Sequence, residues 1–305
     1  MRHRWIVIAA ALFVVAAAVP AASAVQEVRV GMYMLNLGKL DISTGAFTAD
    51  FYLSLKSDQP IASNSFEFRR GRATSVELLE DNGADGAYEK FYRIQASLST
   101  PIDLRRFPFD TQRMQIIFED KTLTEDKMRY VVNEKLCGLD PSILFPGWRI
   151  QGWDASTASE KYDVYEETFS QFVYSVGIEK IPFNSFLKTF LPVLFLMLIV
   201  VSSFILNPEQ VTTRLAAVSS TLMACTMFHI GISNQIPPVS YMTFADKFMI
   251  TTYLLLLCCF FLNIRIFMLN GKNLPEKAKK LNKLAEHLVF IGVPVFYAAL
   301  FLFVR

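Results

Sequence analysis

Between Asn207 and Pro238 an otherwise apolar run carries Ser219, Ser220, Thr221, Thr226, His229 and Ser233. Hydroxyls at helical spacing in such a run can replace part of an ion's hydration shell or hold water, which is conduction chemistry rather than bond-making chemistry. A helix from Arg214 to Asn234 would rise about 1.5 Å per residue and reach roughly 30 Å, the thickness of a bilayer's hydrocarbon core. In steps of four and three, one face collects Ala216, Ser220, Met223, Met227, Ile230 and Asn234. That face is small and hydroxylated at one end, apolar beyond, and amide-bearing at the other end, the grading a pore wall needs. The same groups would serve equally as interhelical hydrogen bonds in a buried, non-conducting bundle. This stretch alone leaves both readings open.

Bond-making chemistry has little to stand on elsewhere. The three histidines are His3, His229 and His287, so the segment from Val25 to Phe183 has none. That excludes a histidine-based triad, a histidine metal site and histidine pH sensing there. The segment also lacks a G-x-S-x-G turn, metal-ligand spacing and a phosphate-binding loop, which leaves only carboxylate chemistry. No enzymatic activity, cofactor, metal or nucleic acid partner is expected. Of the four cysteines only Cys137 lies in this segment, while Cys225, Cys258 and Cys259 lie in apolar runs. The segment must therefore fold without an internal disulfide.

Two kinds of element must hold these residues. Residues 1–24 read as a secretory signal, with Arg2, His3 and Arg4, an apolar run from Trp5 to Val19, and the small-residue pattern Ala22-Ser23-Ala24. Over 25–183 the period is two: Phe47, Ala49, Phe51, Leu53 and Leu55 alternate with Thr48, Asp50, Tyr52, Ser54 and Lys56, and Ile94, Ala96 and Leu98 with Arg93, Gln95 and Ser97. This predicts an exported β-sandwich with Trp148 and Trp153 as core aromatics on a strand. Over 184–305 the apolar segments 186–206, 214–234, 248–269 and 288–304 predict a four-helix transmembrane bundle, with Pro192 inside the first span. The loop between the last two spans holds Lys272, Lys277, Lys279, Lys280 and Lys283, which places it in the cytoplasm. The sandwich and the C-terminus then lie together on the periplasmic side of an inner membrane. Val25–Phe183 has 24 acidic against 18 basic residues, net −6, and the remainder from Asn184 has 4 against 10, net +6.

These parts resemble the pentameric ligand-gated ion channels, in particular their short prokaryotic members. Thr100 to Met114, containing Phe107-Pro108-Phe109-Asp110, is similar to the family's signature loop, with Thr100 and Met114 where eukaryotic members have cysteines. Tyr174 to Pro192 resembles the last strand running into the first membrane helix, and Asn207 to Tyr241 the pore helix with Pro237, Pro238 and Tyr241 after it. The resemblance covers nearly all of the mature chain. It implies a homopentamer surrounded by lipid, with five copies of the second membrane helix lining one pore and agonist sites between adjacent sandwiches.

In such a pore Met223, Met227 and Ile230 would form apolar rings that stop ions by dewetting. His229, beside that face, reads as hydrogen-bonded between helices, with a proton sensor as the alternative. Cation-selective relatives have a glutamate before the basic residue that opens the pore helix, whereas here Thr213 precedes Arg214. Glu209, expected at the helix start after an Asn207 cap and Pro208, would favour permeant monovalent cations, and a lumenal Arg214 would favour anions. Cation selectivity is the expectation, with an anion channel as its rival. The resemblance assigns coupling to Phe107, Pro108, Phe109, Asp110, Lys180, Pro237, Pro238 and Tyr241, with a Lys180–Asp110 pair where the family has an arginine. At the agonist site it sets Lys56, Glu80 or Asp81, and Lys121 where aromatics would form an amine cage, leaving Tyr162, Tyr165 and Phe169 near the capping loop. The expected stimulus is a proton, a divalent cation or a charged small molecule. A non-conducting periplasmic sensor anchored by the same helices is the alternative from another class.

Overall fold

The structure, a computed structural model, describes residues 25–84 and 86–302, and the expected signal segment lies outside them. The alternation seen in the sequence sorts itself onto two sheets. In β2 (Ala46–Ser57), Phe47, Ala49, Phe51, Leu53 and Leu55 are buried while Thr48 faces out. One sheet has the order β4 (Gly71–Ala84), β5 (Ala87–Ser99), β2, β1 (Gln26–Leu37), β7 (Met128–Val132), with the short β8 (Gly138–Leu139) also on β1. Strands β7 and β8 run parallel to β1, and the other pairings in this sheet are antiparallel. The second sheet has the order β3 (Phe66–Phe68), β6 (Thr111–Asp120), β10 (Glu167–Lys180), β9 (Trp148–Tyr162), all antiparallel. Met32, Phe51 and Ile94 from the first sheet and Phe118, Phe172 and Ile178 from the second close one dry core. This apolar burial stands in for a disulfide, since all four cysteines are free.

Of the two tryptophans, Trp148 is partly buried against the core, whereas Trp153 touches it from an exposed position. Trp153 is exposed and stacks on Tyr174, with ring centroids 5.8 Å apart. A positive-φ glycine, Gly152 at +149°, lies just before it, where the β9–β10 register shifts. The shift keeps Trp153 opposite the buried Val176, and its exposure comes from its place on β9, the edge strand of this sheet.

The first span differs from the expected 186–206. It is a pair of helices, α1 (Pro182–Thr189) and α2 (Leu191–Ser203), bent by 46° at their junction. Pro192 lies in the first turn of α2, where its missing N–H ends one hydrogen-bonded ladder and starts another. Then come α3 (Val211–Ser233), α4 (Phe244–Gly271) and α5 (Pro275–Leu302). Among the described residues three helices are long and apolar enough to cross a membrane, and the bent pair makes a fourth span if counted as one.

The lysine-bearing loop expected before residue 288 is mostly helix, because α5 begins at Pro275. Proline suits a first helical position, and the Ala, Lys, Leu and Glu residues that follow are strong helix formers. Ala278, Asn282, Ala285, Val289, Val293 and Tyr297 form its buried face, while Lys277, Lys279, Lys280 and Lys283 are exposed.

Where sandwich meets helices, Phe190 is fully buried in an aromatic cluster. Its ring centroid lies 4.6 Å from Phe248, 5.3 Å from Phe301, 5.5 Å from Phe244 and 5.7 Å from Phe109. These partners come from α4, α5 and the loop before β6, so one side chain ties three parts of the chain to the α1–α2 bend. Phe190→Ala is expected to cost about 3–5 kcal/mol through loss of packing and the cavity left behind. A lowered thermal unfolding temperature in detergent measures it.

Candidate functional site

Helix α3 has two unlike faces. Val211, Arg214, Val218, Thr221, Cys225 and Ile232 are buried against the rest of the chain. Ala216, Ser220, Met223, Met227, Ile230 and Asn234 are all exposed, Met223 at 71% and Met227 at 69%. The stripe read from the sequence as a pore wall therefore lies within the wider arc that this chain leaves uncovered, together with Thr212, Thr213, Ser219, Thr226, Gly231 and Ser233. Ser220 returns its hydroxyl to the Ala216 carbonyl at 2.8 Å, so that the groove it lines is less polar than the side chain alone suggests.

Arg214 does not share the face of that stripe, the placement the rival anion reading needed, because it is wholly buried on the opposite face. Its Nη1 donates to Asn282 Oδ1 at 2.6 Å, and Nη2 donates to the Phe204 carbonyl at 3.2 Å and to the Leu206 carbonyl. Those carbonyls follow the C-terminus of α2, where acceptors are left over and the helix dipole is negative. The guanidinium thus caps α2 and binds it to α3 and α5. Thr213 and Glu209 remain exposed. Glu209 does not begin the helix as expected: Asn207 Oδ1 accepts from the Glu209 amide at 3.2 Å in a separate turn, and the residue preceding α3 is Gln210. Asparagine favours such local turns, which delays the helix.

The residues expected at an agonist site fall into separate places. Lys56 pairs with Glu89 at 2.8 Å and Asp81 with Lys90 at 2.6 Å. Lys56, Asp81 and Glu89 line one open cavity of about 700 Å³, together with Glu27, Arg29 and Tyr88. Glu80, exposed on β4, accepts from Asn82. On the other sheet Tyr162 meets Phe169 edge to face at 5.8 Å, and its hydroxyl donates to Glu119 Oε1 at 2.6 Å. Tyr165 is exposed in the β9–β10 turn, and Lys121 is bound to the Asn64 carbonyl at 2.7 Å. Glu119, buried and also bonded to Gln171 at 2.6 Å, was not singled out from the sequence. Its only sequence signal is an acid at the inward end of an apolar alternation.

The coupling candidates do come together. Phe107 and Pro108 are buried across a cis peptide bond, and Phe109 reaches the aromatic cluster around Phe190. The Arg105 and Phe107 carbonyls accept from the Phe244 and Ala245 amides at 3.0 and 3.1 Å, so the loop satisfies the first turn of α4. Tyr241 accepts at its hydroxyl from the Leu104 amide at 2.9 Å, with Arg105 over its ring, while Pro237 is half-buried and Pro238 exposed.

Lys180 Nζ is 3.9 Å from Asp110 Oδ2, too long for a close pair, and it also lies over the Phe107 and Trp148 rings at 4.7 and 5.3 Å. Both Asp110 carboxylate oxygens are buried without a hydrogen bond. Burial pushes this carboxyl from 3.8 up to about 6, against the pull of Lys180. Burial likewise lowers Lys180.

No protein-family model matches the chain. Curated relatives do. A proton-gated ion channel of Gloeobacter violaceus is 24% identical over 259 residues, covering 77% of this chain and 71% of that protein. An acetylcholine-gated chloride channel subunit of Caenorhabditis elegans is 25% identical over 197 residues, covering 62% of this chain and 41% of its own. The human 5-hydroxytryptamine receptor 3B is 23% identical over 159 residues, covering 50% and 35%. The chain thus spans less than half the length of the two animal relatives.

Asp110 carries a pH prediction. With its carboxyl raised to about 6, the folded protein holds a proton between pH 3.8 and 6 that the unfolded chain has released. The resulting stability is complete below 3.8 and is lost as pH rises through 6. Thermal unfolding followed across that range should show this step in the unsubstituted protein and a flatter profile in Asp110→Asn.

Proposed function

We propose that this chain, a member of the pentameric ligand-gated ion channel family, assembles as a homopentamer in a membrane. Five α3 helices surround a cation-conducting pore, and a stimulus acts on the extracellular sandwich. The observation that carries this reading is the uncovered stripe of α3 opposite a fully packed face. In a fivefold ring Met223, Met227 and Ile230 form the apolar constriction, and Ser220 and Ala216 line the narrower end. Cation selectivity is supported by the removal of Arg214 into the protein interior and by the exposed Glu209 before α3. The −6 charge of the sandwich adds a field that concentrates cations at the other mouth.

Protons are the stimulus that fits best. Asp110 titrates near 6 at the junction between sandwich and helices, and a relative covering most of the chain is named a proton-gated ion channel. A neutral Asp110 no longer holds Lys180 by charge, which changes the contacts at the strand leading into α1. A closed-to-open equilibrium moves only by the difference in proton affinity between its two states.

The test is current across a bilayer containing the purified protein, with a salt gradient and the sandwich side stepped from neutral to acid pH. Acid-evoked current reversing toward the cation potential is expected, and Met223→Ser is expected to leak at neutral pH because it wets the constriction. Reversal at the anion potential would overturn the selectivity. A Met223→Ser protein without any leak would overturn the placement of α3 at the pore.

A further inference from the structure

His229 lies one turn from the sandwich-proximal end of α3, half-buried on the flank of the exposed stripe. Its Nε2 is 3.3 Å from Asp246 Oδ1 and its Nδ1 is 3.0 Å from the Tyr253 hydroxyl, both on α4. The other Asp246 oxygen accepts from the Thr243 amide and hydroxyl at 2.8 Å each, within the capping box that starts α4. That start is held in turn by the Arg105 and Phe107 carbonyls of the sandwich. A continuous run of hydrogen bonds therefore joins the base of the sandwich to α3, and His229 is its last link.

We infer that His229 is a positioning residue, and that with Asp246 and Tyr253 it forms a proton-dependent clasp through which the sandwich holds the outer end of the pore helix. The inference rests on the pore reading of α3.

The protons account for themselves. Neutral imidazole has one donor and one acceptor nitrogen. If Nε2 donates to Asp246, Nδ1 must accept from the Tyr253 hydroxyl. In the protonated ring both nitrogens donate. Nδ1 then gives its hydrogen to the Tyr253 oxygen, and the tyrosine hydrogen turns to the Cys225 carbonyl, 3.5 Å away on α3. Two contacts between α3 and α4 become three, and the one to Asp246 becomes charge-assisted. Acid thus tightens the clasp and favours the helix arrangement seen in the structure.

The ionisable groups facing His229 support this assignment. Asp246 and Tyr253 come from α4, and the buried Cys225 thiol from α3. Lys247, next to Asp246, is exposed. Helix α2 has no ionisable side chain, and Tyr297 of α5 is engaged with Thr252 at 2.8 Å. Tyr241, in the loop before α4, is occupied with Leu104. No basic group competes for the Asp246 carboxylate among these partners.

The test uses the full chain in lipid nanodiscs, with ¹⁵N-labelled imidazoles followed by NMR through a pH titration and the His229 signals assigned by their loss in His229→Gln. Removing the facing charge in Asp246→Asn should move the His229 signals' response to acid measurably. Asp246→Glu, which keeps the charge, should stay close to the unsubstituted protein, separating the charge from any general disturbance of α4. Ion flux from liposomes is read in parallel, and its pH midpoint should move in His229→Gln. An unchanged His229 titration in Asp246→Asn would overturn the clasp. The same flux profile with and without His229 would overturn its role in positioning α3. Absence of flux at every pH, with the titration shift intact, would count against the pore reading and leave the clasp standing.

Discussion

The first amides of any helix have no partner within it, and α4 finds two of its partners in the sandwich. The bonds from Phe244 and Ala245 to the carbonyls of Arg105 and Phe107 make the loop before β6 part of the helix start. Much else at the junction follows from that attachment. Phe109 is carried into the aromatic cluster, Tyr241 is placed to receive the Leu104 amide, and Asp110 is drawn below the surface with no donor for its oxygens. A sandwich that rotates must therefore either take α4 with it or break bonds that water at this buried position cannot replace.

The same economy of partners explains how α3 combines a charged residue with an uncharged exposed stripe. A buried guanidinium is tolerated where acceptors converge on it, and the end of α2 supplies two carbonyls in addition to Asn282. Arg214 is consumed in fastening three helices together. This leaves the exposed stripe to small, hydroxylated and apolar side chains, which interact with ions through water and not through fixed charge. The acidic group nearest that end of the helix is Glu209, exposed in the turn before α3.

The parts of the chain legible from sequence are those governed by a period. Alternation located strands such as β2 and β5, and steps of four and three picked out an α3 stripe that lies on the uncovered side. What escaped depends on partners far apart in sequence. Arg214 looks like a lumenal charge until Asn282 and the end of α2 are brought beside it. Asp246 was not singled out from the sequence, because its partner His229 lies on the preceding helix. The α5 start was hidden because lysines suggested a loop, although the same residues are good helix formers. The residues offered for an agonist site lie apart within one chain, Lys56 and Asp81 at one cavity and Tyr162 and Phe169 on the other sheet, and a site between adjacent sandwiches does not require them together.

The helical start of α5 has a mechanical consequence. Lys277, Lys279, Lys280 and Lys283 ride on the same rod as the apolar stripe Leu284, Leu288, Ile291 and Val295. A flexible tether would let these ammonium groups stay at the headgroups whatever the bundle does, but a rod makes them travel with it. A slide of one helical turn, about 5.4 Å, is comparable to the distance of about 8 Å over which physiological salt screens a charge. For a bundle seated in a membrane, the depth of α5 is converted into electrostatic energy, so the surface charge of that membrane would weigh on the conformations the bundle adopts.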